Sequence, residues 1–235
     1  MTLLADLSTP IVMGILLGGL YAVIALGLSL VFGVVKEMNI AHGDLVILGS
    51  YLAYTIMTSF GVDPILSLII GMPLFFGLGF VIQKYLLNRA FKISMDATLI
   101  IAFGISIILQ NTYQLIWSPM SRGLTTSYAL KSFSAGPFFF PFVYLLNFVV
   151  AIAVMICLRE FLRRTYLGVA IRSAAQDTKA AHLMGINTNR VFAYTFAIGM
   201  VLAAVAGVLL GLTFPFTPTS GLPFLIIALG VVVLG

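Results

Sequence analysis

The stretch from Val35 to Tyr51 reads VKEMNIAHGDLVILGSY and sets Glu37, His42 and Asp44 within eight residues. In a water-soluble enzyme such a group would suggest a metal centre or an acid–base pair. The spacing supports neither. His42 and Asp44 are two residues apart, so on a helix they do not share a face. Zinc needs three or four ligands, and His182 is the only other histidine in the chain. Serine chemistry fares no better: no G-x-S-x-G turn is present. The expectation is structural instead. Asp44 stands where a helix starts and where the helix dipole favours negative charge, at a membrane interface where charged groups need not be buried.

The remaining polar candidates are amides inside apolar runs. Gln110 and Asn111 lie in one run and Asn147 in another. Uncharged amides at such places tie helices together or line a polar route. No Asp, Glu, Lys or Arg is expected at the middle of any run, which speaks against a proton-driven pump or an ion channel. Cys157, the single cysteine, cannot form an intrachain disulfide and reads as a small buried hydrophobe.

The elements that position these residues follow from composition. The chain has 235 residues, of which 61% are hydrophobic and 8% charged, with mean hydropathy +1.17. A globular domain carries about 25% charged residues, so lipid is the solvent for much of this surface. A spanning helix needs roughly 20 apolar residues, and such runs recur at 10–35, 43–60, 64–87, 97–117, 141–162, 190–212 and 221–235. The fold expected is all-α: a polytopic helical membrane protein with about seven hydrophobic segments, in one domain over 1–235. The last run offers only fifteen residues and is expected to be truncated. Alternating segments of the barrel type are absent.

Charge sets a direction. Lys36, Lys84, Arg89, Lys92, Arg159, Arg163, Arg164, Arg172, Lys179 and Arg190 fall on one side of this alternation, whereas Arg122 and Lys131 fall on the other. Lys and Arg are retained in the cytoplasm during insertion, which predicts an external amino terminus, an external loop over 117–140 and an internal one over 163–190. Small-xxx-small pairs at Gly14/Gly18, Ala203/Gly207 and Gly207/Gly211 predict close helix packing, because lipid gives no hydrophobic drive for helices to associate. Pro73 can kink its segment.

The internal loop reads RTYLGVAIRSAAQDTKAAHLMGINTNR and is too long for a tight connection. Asp177 is a plausible helix start and Gly185 a plausible stop, with Asn187 close behind. A helix of about two turns is expected there, exposing apolar surface unless something docks.

Here a resemblance enters. The loop is similar to the coupling segment of ABC importer permeases, whose pattern is E-A-A, three residues, then G; Lys179, Ala180, Ala181 and Gly185 match it, with Lys179 where the pattern has an acid. GLYAVIALGLSLVFGVVKEMNIAHGDLVILGSY resembles the first-span signature of permeases for branched-chain amino acids, with Asn39, Ala41, His42, Gly43 and Asp44 forming its N-x-A-H-G-D element. GVAIRSAAQDTKAAHLMGINTNRVFAYTFAIGMVLAAVAGVL resembles their coupling loop and the span after it. The resemblance implies one permease subunit of a bacterial inner-membrane importer. Its partners would be ABC ATPase subunits, a second permease that is a paralogue or a copy, and an external solute-binding protein, with no nucleic acid. It also implies a coupling role for Asp177, Lys179, Ala180, Ala181, Gly185 and Asn187, and further hydrophobic segments beyond Gly235. The chain has no G-x-x-x-x-G-K-[ST] phosphate loop, so it is expected to bind no cofactor and to draw on ATP used by partners. Related permeases for urea, short amides or another amino acid share these motifs, and a stand-alone carrier is the remaining alternative.

Overall fold

The computed structural model of the chain describes residues 2–36, 38–91, 93–129, 132–135 and 138–234. Glu37, Lys92, Lys131 and Gly235, which enter the charge and chain-end expectations, lie outside the described residues. The elements are α1 (Thr2–Val35), α2 (His42–Phe60), α3 (Leu68–Ile82), a π-helical turn (Gln83–Leu87), α4 (Asn88–Phe91) and α5 (Met95–Trp117). There follow strands β1 (Ser132–Ala135) and β2 (Phe138–Pro141), then α6 (Phe142–Arg164), α7 (Tyr166–Gln176), α8 (Thr178–Leu183), α9 (Thr188–Thr213) and α10 (Gly221–Leu234). The strands form one antiparallel ribbon, Ser132 opposite Pro141, in the connection expected to be an external loop. It is a small β insert in a helical membrane fold.

Among the described residues, five helical stretches are long and apolar enough to cross a membrane: Pro10–Val35, Leu68–Phe91, Asp96–Trp117, Phe142–Arg164 and Thr188–Thr213. The other two hydrophobic segments behave differently. α10 is described over 14 residues. α2 has 19, but His42, Asp44, Ser50, Thr55 and Thr58 lower its hydropathy. The count of about seven segments is therefore not confirmed: five helices have the length and apolarity of a span by themselves, and α2 and α10 do not.

α9 is the axle. It packs against α1, α2 and α3, and 89% of its apolar window is buried, against 17% for α5. Small residues make this possible. A β-carbon on Gly207 would strike the Val46 carbonyl oxygen and lie 2.9 Å from the Gly49 α-carbon. Ser50 Oγ donates to the Gly207 carbonyl at 2.6 Å. Close backbone approach of this kind replaces the missing hydrophobic drive. On α1 the Gly14/Gly18 pair meets nothing within 4 Å, so that pair is open surface. α3 runs through Pro73, which has no N–H to donate, and passes into a π turn at Gln83–Leu87. Cys157 is exposed on α6 rather than buried, because only one stripe of α6, including Val143, Asn147 and Ala151, faces the bundle.

Candidate functional site

Two regions gather the residues singled out from sequence. The first is a crossing point at the centre of the bundle. Asn39 Oδ1 accepts from the Ala41 N–H at 3.2 Å, and the His42 N–H donates to the Asn39 carbonyl at 3.1 Å. This turn converts the segment after α1 into the first turn of α2, whose N-cap is Ala41 with no side-chain cap bond. His42 Nε2 donates to the Ile24 carbonyl at 3.0 Å; a carbonyl only accepts, so Nε2 carries the proton.

That bond fixes depth. Ile24 lies eleven residues before the end of α1 at Val35, about 16 Å along the axis. Residues 38–41 therefore lie back along α1, and α2 begins halfway through the bundle. Asp44 agrees: its Oδ2 accepts from Ser106 Oγ, the central residue of α5 (Met95–Trp117). Gln110 Nε2 donates to both Asp44 oxygens at 3.2 Å, and Tyr113 Oη donates to the Asp44 backbone carbonyl at 2.9 Å.

The expectation that Asp44 sits at an interface and need not be buried is corrected here, together with the expectation of no ionisable group at mid-depth. Asp44 is 3% exposed and His42 2% exposed. The physical reason is the re-entrant approach of residues 38–41, which a count of apolar runs does not register. Irregular backbone at such depth is tolerated where protein, rather than lipid, surrounds it.

A second helix starts at the same place. A β-carbon on Gly43 would run into the Gly221 carbonyl oxygen, and one on Gly221 would run into Asp44 Oδ1. Both positions need glycine for closeness alone, not for φ. Residues 214–220 lead down from the end of α9, held at their outer part by the Arg122–Phe216 bridge, so the N-termini of α2 and α10 meet. Helix N-termini carry partial positive charge, and the Asp44 carboxylate lies in the first turn of one and against the first residue of the other. Tyr51 caps the crossing, stacked on Trp117 at 4.7 Å between ring centres and edge-on to Phe216 at 5.0 Å. Sequence reading named Gln110 but missed Ser106 and Tyr113; their spacing of four and then three residues from Ser106 through Gln110 is the helical-face signal that finds them.

The other amides separate. Asn147 Nδ2 donates to Thr213 Oγ1 at 2.7 Å, joining α6 to α9. Asn111 is exposed and returns its amide to the Ile107 carbonyl of its own helix at 2.8 Å, so it joins no other helix. Among the described residues, no group of three or more His, Cys, Asp or Glu could hold a metal ion.

The second region is the 163–190 loop. Asp177 Oδ1 caps α8 by accepting from the Lys179 and Ala180 N–H groups at 2.8 and 3.0 Å. Those two amides, Ala180 first, hold its carboxyl below the usual carboxylate range. Gly185 closes α8 at φ 86°, the left-handed conformation that favours glycine. Its N–H donates to the His182 carbonyl at 3.0 Å. Ala181 is the buried contact of α8, Lys179 and Ala180 are exposed, and Asn187 Oδ1 caps α9 through the Arg190 N–H at 3.2 Å. Leu183 and Met184 stand 86% and 84% exposed. Sequence reading placed this helix but not α7 before it. Thr165 caps α7 by accepting from the Gly168 N–H at 3.0 Å, and Gly168, Ala170, Ile171 and Ala174 are its buried face. α7 rests on α1, α6 and α9.

The described helices are those of a multi-pass helical membrane protein. The chain belongs to the family described as branched-chain amino acid transport system / permease component, whose model matches residues 11–235. It is 33% identical over 224 residues to the high-affinity branched-chain amino acid transport system permease protein BraD of Pseudomonas aeruginosa, covering 87% of this chain and 70% of that protein. It is 34% identical over 213 residues to the protein of the same description, LivH, of Salmonella typhimurium, covering 84% and 68%. A probable branched-chain amino acid transport permease protein LivH of Methanocaldococcus jannaschii is 28% identical over 229 residues, covering 93% and 71%. No solved structure matches the chain.

Proposed function

We propose that this chain is the membrane permease subunit of an ABC importer that passes branched-chain amino acids across the bacterial inner membrane. Separate ATPase subunits bind and hydrolyse the ATP, a second permease completes the route, and an external solute-binding protein delivers the amino acid. The amino terminus faces outside and the 163–190 loop faces the cytoplasm. The carrying observation is Leu183 and Met184, almost fully exposed on a helix capped at both ends. A rigid, short, amphipathic projection of this kind presents apolar anchors to a groove in a partner.

A route for force follows from contact. ATP-driven closure of the partners would displace α8 and α7 together. α7 is seated on α1, α6 and α9. α1 in turn packs on α10, and α9 on α2, so movement at the loop reaches the crossing point of α2 and α10 through those two helices.

The test is ATP-dependent leucine uptake by vesicles carrying the full assembly, with Leu183→Asp and Met184→Asp combined. Both side chains project from the bundle, so the fold should persist while ATPase co-purification and uptake fall at least tenfold. Wild-type uptake by the double variant overturns the coupling assignment. Uptake of urea or short amides instead of leucine, isoleucine and valine overturns the solute assignment, and uphill uptake by the purified chain alone overturns the class.

A further inference from the structure

Lys84, Asn88, Arg89, Asn189 and Arg190 line one cleft of about 260 Å³, with Phe80 at its edge, where the π turn and α4 meet the start of α9. We propose that this cleft binds the phosphate headgroup of an anionic phospholipid. Three cations converge there in a chain that is only 8% charged. Among the described residues none of the three has a carboxylate within ion-pair distance; the one salt bridge found joins Arg164 to Glu160. Gathering unpaired like charges costs energy unless an anion joins them.

The backbone is shaped to make the cluster. Lys84 and Arg89 are five residues apart, and in an α-helix they would diverge by about 140° around the axis. The π turn is bonded from each residue to the one five ahead, and the Asn88 N–H does donate to the Gln83 carbonyl. Residues five apart are thereby brought onto one face. The floor is fixed by Gln83 Nε2 donating to Asn88 Oδ1 at 3.1 Å and Asn88 Nδ2 donating to the Asn189 carbonyl at 3.0 Å. This lashes α4 to the first turn of α9, where Arg190 projects.

Continuity with the unpacked face of α3 identifies the occupant as a lipid. Ile69, Pro73 and Gly77 are exposed along the helical stripe, at spacings of three and four residues, that leads to Phe80 and Lys84 in the cleft. Acyl chains lying on that stripe put their headgroup among the three cations. Lys84 Nζ lies 5.0 Å from the Tyr85 ring centre and 5.7 Å from that of Phe80, its apolar stem against aromatic rings and its charge at the polar end, as a side chain does at a bilayer boundary. Basic pockets between membrane helices are established binders of anionic headgroups.

The test is native mass spectrometry of the purified full chain equilibrated with cardiolipin, phosphatidylglycerol or phosphatidylcholine, each with and without 10 mM inorganic phosphate. The wild type should retain one more anionic lipid per chain than the combined Lys84→Ala, Arg89→Ala and Arg190→Ala variant, with phosphatidylcholine retention equal in both. Arg159→Ala, which neutralises an exposed cation on α6 outside the cleft, should leave the count unchanged. Equal anionic-lipid retention by wild type and triple variant, or equal loss in Arg159→Ala, overturns the proposal. Displacement of the lipid by inorganic phosphate makes free phosphate the occupant and overturns it equally.

Discussion

At the residue scale, the notable groups are small or polar side chains that let backbones meet. Gly43 and Gly14 make the contrast testable. A β-carbon at Gly43 has no room against Gly221, whereas one at Gly14 meets nothing within 4 Å. Gly43→Ala should therefore cost about 1–3 kcal/mol, the usual penalty of overpacking, or separate α10 from α2. Gly14→Ala should be neutral or stabilise by about 0.5–1 kcal/mol, since glycine is a poor interior helix residue. Thermal unfolding of the two variants in detergent decides this, and equal melting temperatures would refute the close crossing. Asp177 supplies a pH dependence. Its folded pKa lies below the ordinary value of 3.8, so its cap contributes fully above that value and is lost as pH falls through the lower folded value. Hydrogen exchange at Lys179 and Ala180 should lose protection only in that acid window. Asp177→Asn should keep the cap without the pH dependence.

At the element scale, helix length and helix role come apart. α2 is long enough to be taken for a span, yet starts at the level of Ile24 on α1 and Ser106 on α5. α10 begins against it. Discontinuous helices that meet by their N-termini at mid-depth place positive dipole ends where a membrane transporter can use them, and here Asp44 occupies the junction. The loop helix α8 was legible in the chain because its signals are local: Asp177 before it, Gly185 after it, alanines between. α7 was not, although Thr165 and Gly168 carry the same kind of cap, because its buried face is defined by α1, α6 and α9 rather than by neighbours in sequence.

At the scale of the whole molecule, the orientation is a prediction of its own. In a Cys157→Ser background, Met120→Cys and Met184→Cys both place a thiol at an exposed position, 72% and 84% exposed in the parent residues. A membrane-impermeant maleimide added to intact cells should label the first and spare the second. Labelling of the cysteine at position 184 from outside would reverse the topology and remove the coupling role from the 163–190 loop.

Composition, run length and the placement of Lys and Arg determined that the chain is a helical membrane protein, where its apolar helices lie and which loop is built to project, because those properties depend on each segment's exchange between water and lipid. Tertiary structure alone decided that Asp44 is enclosed, that two of seven apolar segments start at the centre of the bundle, and that Lys84, Arg89 and Arg190 share a cleft. Each of these depends on how far one element reaches along another, and hydropathy carries no information about depth once a segment is surrounded by protein instead of lipid.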